Sequence, residues 1–194
     1  MTEPMLTTEE RRVLLALARE SIERAAREEP LPRPDLEMLP PRLREQGATF
    51  VTLTMPGDEL RGCIGGLEAT QPLAYDVISH AAAAATEDYR FLTVLPEEVP
   101  QVNIEISRLT QPQRLEYGSP EELLRLLRQH IDGVILRDGP HRATFLPQVW
   151  EKLPDPAEFL DHLCDKMGAP RDLWRRKPLV VETYQVEEFH EGKF

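Results

Sequence analysis

Cysteine is scarce in this chain of 194 residues, which contains only Cys63 and Cys164. The two lie far apart, and neither belongs to a Cys-x-x-Cys pair of the kind that binds zinc or an iron–sulfur cluster. The five histidines are scattered and do not fall at the spacings of metal ligands. We therefore predict no metal site, no cofactor and, in a reducing compartment, no structural disulfide.

Long apolar runs are missing as well, because no segment approaches the roughly 20 residues that a membrane-spanning helix requires. The chain begins Met-Thr-Glu-Pro, without a basic region followed by an apolar core, so we expect no signal peptide, no membrane partner and a cytoplasmic location. Basic residues number 23 against 34 acidic ones, and the formal net charge is −11. Such a charge repels nucleic acid over most of the surface, and we expect no nucleic-acid partner.

The composition that remains is typical of a globular protein, with 41% hydrophobic and 29% charged residues. The length fits a single domain, which we place at residues 8–190, with tails at residues 1–7 and 191–194. Helical and strand patterns are mixed without a steady βαβ rhythm. This favours an α+β fold over a doubly wound sheet.

Periodicity and turn signals locate the secondary structure. Thr7 and Glu10 have the spacing of a capping box and predict a helix over residues 8–28. Five prolines in residues 30–41 predict a connector without helix. The other predicted elements are helices that begin near residues 72, 119 and 155, strands at residues 50–55, 60–65 and 102–107, a hairpin over residues 131–145 that turns at Asp138-Gly139, and one closing strand at residues 180–189.

The hexapeptide Leu60-Arg61-Gly62-Cys63-Ile64-Gly65 combines a cation, a thiol and two glycines in a predicted strand. If the strand is regular, Arg61 and Cys63 point to one face, since side chains alternate with period two. A guanidinium beside a thiol favours the thiolate, which attacks electrophiles. Gly62 and Gly65 leave room for a second backbone or a ligand. The hexapeptide therefore marks a candidate site, although it does not name a reaction.

This hexapeptide resembles the signature of the AMMECR family, and other segments resemble that family's motifs in the same order. Asp88-Tyr89-Arg90-Phe91 is similar to its Asp-Pro-Arg-Phe segment, with Tyr89 in place of the usual proline. Ile104-Glu105-Ile106-Ser107 is similar to its Ile-Glu-Val-Ser strand. The resemblance covers nearly the whole chain from about Leu14, and its remaining segments are residues 50–53, 132–135, 145–150 and 155–160, with Lys166 and Trp174.

Within the family, the chain resembles the bacterial type called AmmeMemoRadiSam system protein A, whose name reflects association with a Memo-like protein and a radical SAM protein. The resemblance implies an α+β fold in which a mixed or antiparallel sheet is flanked by helices, with a smaller second lobe. It implies that the functional surface is a groove near residues 60–65. The implied partners are a Memo-like protein, a radical SAM protein or a small-molecule ligand.

The basic candidates and the thiol each have a structural alternative. Cys63 is either a reactive thiol or a small buried residue of the sheet. Arg61 and Arg90 either bind an anion together or bridge to Glu105 or Asp88 and hold the two lobes together.

The polar candidates are ambiguous in the same way. Glu105 and Ser107 lie on the polar face of their strand, where Glu105 is either a general acid or base or the partner in a salt bridge. Gln148 either donates a hydrogen bond to a ligand or caps the helix that follows. His80 or His141 can act with Cys63 only if the fold brings one of them to it.

Two functions follow from these alternatives. The first is a component that binds a ligand or partner through Arg61, Gly62, Gly65, Arg90, Ser107 and Gln148. The second is a thiol-dependent enzyme in which Cys63 is the nucleophile or redox thiol, Arg61 stabilises its thiolate and binds an anionic group, and Glu105 transfers protons. The sequence contains no recognisable catalytic triad, phosphate loop or metal motif, and this favours the binding component.

Overall fold

The computed structural model describes residues 5–192, which form two compact units: residues 5–109 with 187–192, and residues 110–186. The helices are α1 (Thr8–Ala26), α2 (Pro41–Arg44), α3 (Leu73–Thr86), α4 (Pro120–Leu126), α5 (Pro156–Lys166) and α6 (Leu173–Arg176). The strands are β1 (Gln46–Met55), β2 (Glu59–Gly65), β3 (Gln71–Pro72), β4 (Asn103–Leu109), β5 (Gln113–Arg114), β6 (Gly133–Asp138), β7 (His141–Phe145), β8 (Val180–Tyr184) and β9 (Val186–His190). Mixed helices and antiparallel sheets confirm the predicted α+β class. The limits of a single domain at residues 8–190 stay a prediction.

The first unit is built on a five-stranded sheet in which the strand order is β2-β1-β4-β9 and β3 also pairs with β1. Alternate residues of the two central strands, such as Val51 and Ile104, are fully buried against α1 and α3. The residues between them, such as Thr52 and Glu105, lie on the other face and are half-buried. This alternation is the pattern of a sheet with one face in the core, and it leaves a polar face open.

The capping box and the prolines predicted α1 and the segment after it, with two exceptions in that segment. Thr7 and Glu10 form the predicted capping box, and α1 ends at Ala26. The prediction of a connector without helix over residues 30–41 is wrong at Leu36–Met38, which is one turn of 3₁₀ helix, and at Pro41, where the single α-helical turn of α2 begins. A proline at the first helical position has no hydrogen bond to lose, so the proline-rich segment accommodates this turn.

The second unit contains a four-stranded sheet in the order β5-β8-β6-β7. Its β6–β7 hairpin pairs Asp138 with His141, so the turn residues are Gly139 and Pro140, one position later than predicted. Asp155 caps α5 by accepting a hydrogen bond from the backbone of Glu158, and the helix begins where the sequence predicted. None of the helices in residues 5–192 combines the length and the apolar character that a membrane crossing requires.

The predicted closing strand at residues 180–189 is wrong as a single element, since it is two strands in two different sheets. β8 belongs to the sheet of the second unit, and β9 belongs to the sheet of the first. Gln185 lies between them, and its backbone carbonyl and N–H are bound by the backbone and side chain of Thr110. These bonds to Thr110 separate β8 from β9 at Gln185, although the alternation of side chains in the sequence continues through this residue.

Gly62 is a point of close approach between β2 and α3, and substituting it tests how tightly the two elements pack. A Cβ at this position would lie 2.1 Å from the carbonyl oxygen of Ala84, a backbone atom that cannot rotate away. We expect Gly62→Ala to lower the free energy of unfolding by about 2–3 kcal/mol in urea titrations, the cost of overpacking. Gly66→Ala is the matched control, because its Cβ would lie no closer than 3.5 Å to a side-chain atom. Equal effects of the two variants would contradict this account.

Candidate functional site

The signature forms β2 at one end of the sheet, and its register contains a β-bulge. Cys63 pairs with Thr52, and Leu60 pairs with Thr54, but Arg61 has no partner of its own on β1. Arg61 is therefore the extra residue of the bulge, which bends the strand and redirects its side chain. The assumption of a regular strand, which placed Arg61 and Cys63 on one face, is wrong between these residues.

The Arg61 side chain holds the segment that follows α3. Its Nε and Nη2 donate to the carboxylate of Glu98 at 3.2 and 3.1 Å, while Nη1 and Nη2 donate to the carbonyls of Leu92 and Thr93 at 2.6 and 3.2 Å. Hydrogen bonds from Arg61, and a further one from the backbone of Leu95, hold the pKa of Glu98 below its usual value. Arg61 was expected either to bind an anion or to bridge to a carboxylate and hold the two lobes together. The structure has a bridge to a carboxylate, but the partner is Glu98, which belongs to the same unit as Arg61.

Asp88 and Arg90 bind the backbone of Cys63 on the free side of β2. The Cys63 N–H donates to Oδ2 of Asp88 at 2.9 Å, and Nη2 of Arg90 lies 3.4 Å from the Cys63 carbonyl oxygen. Arg90 also donates to Asp88 at 2.8 and 2.6 Å. The two side chains thus occupy the positions at which an added strand would pair, and they close the edge of the sheet there.

This arrangement shifts the pKa values of both side chains. The hydrogen bonds from the Arg90 side chain, with those from the backbone of Cys63 and Arg90, hold the pKa of the buried Asp88 well below its usual range and outweigh the effect of burial. The same side-chain hydrogen bond raises the pKa of Arg90. The pair is therefore charged at neutral pH. Of the two alternatives for Arg90, the structure has the bridge to Asp88, which lies within one unit.

Two of the remaining candidates, Cys63 and Glu105, lie in one row with Thr52 across the open face of the sheet. Cys63 on β2 pairs with Thr52 on β1, which pairs with Glu105 on β4, and directly paired residues share a face. The Thr52 hydroxyl donates to Sγ of the half-buried Cys63 at 3.3 Å. Two strand spacings, about 10 Å, separate Cys63 from Glu105.

Glu105 is half-buried, and its partner is His190 on β9. Nδ1 of His190 lies 3.4 Å from Oε2 of Glu105. Both side chains line a cavity of about 420 Å³ on the open face. The other residues that line it are Thr54, Asp58, Asn103, Ile104 and Glu191. Glu105 therefore has the geometry of a salt-bridge partner beside an open polar cavity.

The candidate glycines contact the protein's own backbone. A Cβ on Gly62 would meet Ala84, and a Cβ on Gly65 would lie 2.4 Å from the Thr49 carbonyl oxygen. Ser107 is buried on β4, where it pairs with Phe50. These three residues support the packing of the sheet and α3.

Gln148 lies in the second unit, in the 3₁₀ helix Pro147–Glu151. The next helix is α5, and its N-cap is Asp155. His141 begins β7 in the same unit and is exposed. In the described range, residues 5–192, no group of three or more His, Cys, Asp or Glu side chains is arranged to hold a metal ion.

A polar cluster on the helix-facing side of the sheet includes His80. Asp76 of α3 accepts a hydrogen bond from the Thr49 hydroxyl at 2.7 Å and lies 3.2 Å from Nδ1 of His80. Thr49 and Thr52 are three positions apart on β1, and side chains alternate between the two faces of a strand, so Thr49 lies on the face opposite to Thr52 and Cys63. The fold therefore does not bring His80 to Cys63. Asp76 and His80 are four positions apart on a predicted helix, and residues at this spacing are neighbours on a helix surface, so the sequence already indicated that the two side chains pair.

Sequence reasoning missed Glu98 and His190. Glu98 belongs to no motif, and it reaches Arg61 only because the intervening segment folds back on β2. His190 directly follows Phe189, which is buried. Extending the predicted strand by one residue would have placed His190 on the polar face.

The depressed pKa of Asp88 predicts how stability depends on pH. Its ionised form is favoured by the fold, so its contribution is complete above the unfolded pKa of about 3.9 and is lost as the pH falls towards the lower folded value. We expect Asp88→Asn to lower the free energy of unfolding by about 1–2 kcal/mol at pH 7. The difference from wild type should be constant down to about pH 5 and shrink below about pH 4.

The control for this comparison is Asp172→Asn, which removes an exposed pair with Arg176. Its effect should stay below about 0.5 kcal/mol, since surface pairs contribute little. Urea titrations between pH 3 and 8 measure both. A pH-independent effect of Asp88→Asn would show that the ion pair does not stabilise the fold.

Comparisons with known proteins agree with this architecture. The sequence model of the AMMECR1 family matches residues 15–189. A protein of Thermofilum pendens is 39% identical over 200 residues, covering 96% of this chain and 92% of its own length, and one of Methanothermobacter thermautotrophicus is 40% identical over 188 residues, covering 96% of both. The crystal structure of the uncharacterised protein PH0010 from Pyrococcus horikoshii superposes with a TM-score of 0.74 at 35% identity, covering 96% of this chain and 94% of PH0010. The chain belongs to the AMMECR1 family.

Proposed function

We propose that this protein is a non-catalytic binding component, and that its signature serves to build a recognition surface along the edge of β2. The observation that carries the proposal is the use of Arg61. Its guanidinium donates to the carboxylate of Glu98 and to the carbonyls of Leu92 and Thr93. A guanidinium engaged in this way holds a segment of its own chain, and its donors are not directed at a substrate anion.

The segment at residues 88–98, which we call the clamped segment, is fixed at three places. Asp88 and Arg90 bind the backbone of Cys63 at its start, and Arg61 binds its second half. Between them the Val94 N–H donates to the carbonyl of Ala85 at 2.8 Å. A surface that is ordered before binding loses less conformational entropy in a complex, which favours recognition.

The proposed partners are a Memo-like protein and a radical SAM protein. The support for them is the resemblance of this chain to the AmmeMemoRadiSam system protein A type. The chain has two cysteines, too few for the ligands of an iron–sulfur cluster of its own. In such a pathway this chain would act on the partner by binding it.

A thiol-dependent enzyme is the second candidate, and the hydrogen bond from Thr52 to Cys63 favours it, because a donor to sulfur stabilises a thiolate. The other parts of that mechanism are less well placed. Glu105 is two strands away from Cys63 and faces His190, while Arg61 faces Glu98. The three residues assigned to the mechanism do not form a contact group, so the binding component is the better supported function.

The proposal predicts opposite outcomes at Cys63 and Arg61 in binding to the purified Memo-like and radical SAM proteins of the same organism. Cys63→Ser should bind within about twofold of wild type, since the thiol is not needed for the surface. Arg61→Ala should weaken binding at least tenfold, because it releases the clamped segment. Calorimetry measures the affinities, and hydrogen exchange should show faster exchange in residues 92–98 of Arg61→Ala alone.

Arg137→Ala is the matched control, because Arg137 lies on a strand and pairs with a glutamate but holds no loop. It should bind like wild type. Loss of the complex in Cys63→Ser, or discovery of a turnover that Cys63→Ser abolishes, would contradict the binding component and favour the enzyme. Circular dichroism confirms that each variant is folded.

A further inference from the structure

Four large apolar side chains are exposed beside the signature. Tyr89 is 95% exposed, Leu92 87%, Leu95 52% and Leu60 39%. Single exposed apolar residues are ordinary, but a group of them on one ordered surface marks an interaction site. We call these four side chains the Tyr89 surface.

The hydrogen bonds around β2 hold the chain segments that carry these residues at the same edge strand. Leu60 precedes Arg61, and the Leu92 carbonyl accepts from Arg61. The Leu95 N–H donates to Glu98, the carboxylate that Arg61 binds.

Tyr89 lies between Asp88 and Arg90, which bind Cys63. Leu60 is part of β2, Leu92 and the neighbours of Tyr89 are bonded to β2, and Leu95 is bonded to Glu98, which Arg61 binds. The backbone of the surface is fixed while its apolar side chains face outward.

Among the described residues of the same segments, the charged side chains that form no ion pair are all negative. Asp58, Glu59, Glu87 and Glu97 are exposed, and among the described residues none of them forms an ion pair. The nearby cations are neutralised, Arg61 by Glu98 and Arg90 by Asp88. The Tyr89 surface is thus apolar with an acidic rim.

We propose that the Tyr89 surface binds a segment of a partner protein in which apolar side chains stand among lysines and arginines. The proposal rests on the binding function proposed above and names the surface and the chemistry of its partner. Complementary charge steers such a segment to the acidic rim, and the exposed side chains supply the apolar contact.

The same charges disfavour the other occupants of an apolar surface. A second copy of this chain would bring a second acidic rim against the first, and like charges in an interface are costly. Nucleic acid and an anionic membrane are repelled for the same reason. An added β-strand is blocked at Cys63, because Asp88 and Arg90 occupy its pairing positions.

The test measures binding of the full-length Memo-like and radical SAM proteins to variants of the whole chain at 50 and 300 mM salt. The double variant Tyr89→Ser/Leu92→Ser should weaken binding at least tenfold. Glu59→Gln/Glu97→Gln should weaken it about threefold to tenfold at low salt and flatten the dependence on salt. Fifteen-residue peptides that tile both partners should bind only where apolar residues and lysine or arginine occur together.

Two matched variants lie outside the Tyr89 surface and test whether loss of any exposed apolar side chain, or of any exposed carboxylate, weakens binding. Met38→Ser removes an apolar side chain that is 82% exposed, and Glu9→Gln neutralises an exposed carboxylate on α1. Both should bind like wild type. None of these positions contributes to the buried core, so folding is expected to be unaffected.

The outcomes separate this proposal from the binding function. If the partners bind wild type but the Tyr89→Ser/Leu92→Ser variant binds equally well, the surface is wrong while the binding function stands. If only acidic peptides bind, the partner chemistry is wrong. Self-association of wild type that the double variant abolishes would assign the surface to a second copy instead. If neither full-length protein binds wild type, both this proposal and the proposed function are overturned.

Discussion

The fork of hydrogen bonds from Arg61 is the interaction on which the rest of the signature region depends. A bulge frees this residue from the ladder of β2, and its guanidinium then satisfies one carboxylate and two backbone carbonyls in the clamped segment. Only arginine has enough fixed donors for this set, because a lysine ammonium is a point charge on a flexible stem. The residue that made the hexapeptide look catalytic is therefore the residue that organises its surroundings.

A second constraint follows from the position of β2 at the end of its sheet. An edge strand exposes backbone donors and acceptors and so invites pairing with another chain. Here Asp88 and Arg90 supply the missing acceptor and donor to Cys63. Gly62 meanwhile lets α3 approach the inner face of the strand. Thus the cation, the cysteine backbone and the first glycine of the signature all serve to fix a loop and a helix around one strand.

The sequence was most informative where structure depends on neighbours in the chain. The capping box at Thr7, the α+β class and the strand at the hexapeptide depend on spacing and propensity, which a single sequence shows. The bulge at Arg61 and its pairing with Glu98 depend on a segment folding back over a strand, and no local pattern encodes that. The break at Gln185 has the same origin, because Thr110 interrupts an otherwise continuous strand pattern. Arg61 and Glu105 were named as candidates from the sequence, but their partners Glu98 and His190 were not, because those pairings join residues distant in the chain.

The distribution of charge favours recognition over catalysis at this edge. A thiol enzyme needs a cation that stabilises the thiolate and attracts an anionic substrate, and both nearby arginines are already neutralised by carboxylates. What the region presents to a partner is a set of apolar side chains with unpaired carboxylates around them. An anionic substrate would meet repulsion there, whereas a cationic and apolar segment would meet attraction and a surface already in place. The same ion pairs that order the clamped segment thus remove the positive charge that the catalytic hypothesis requires.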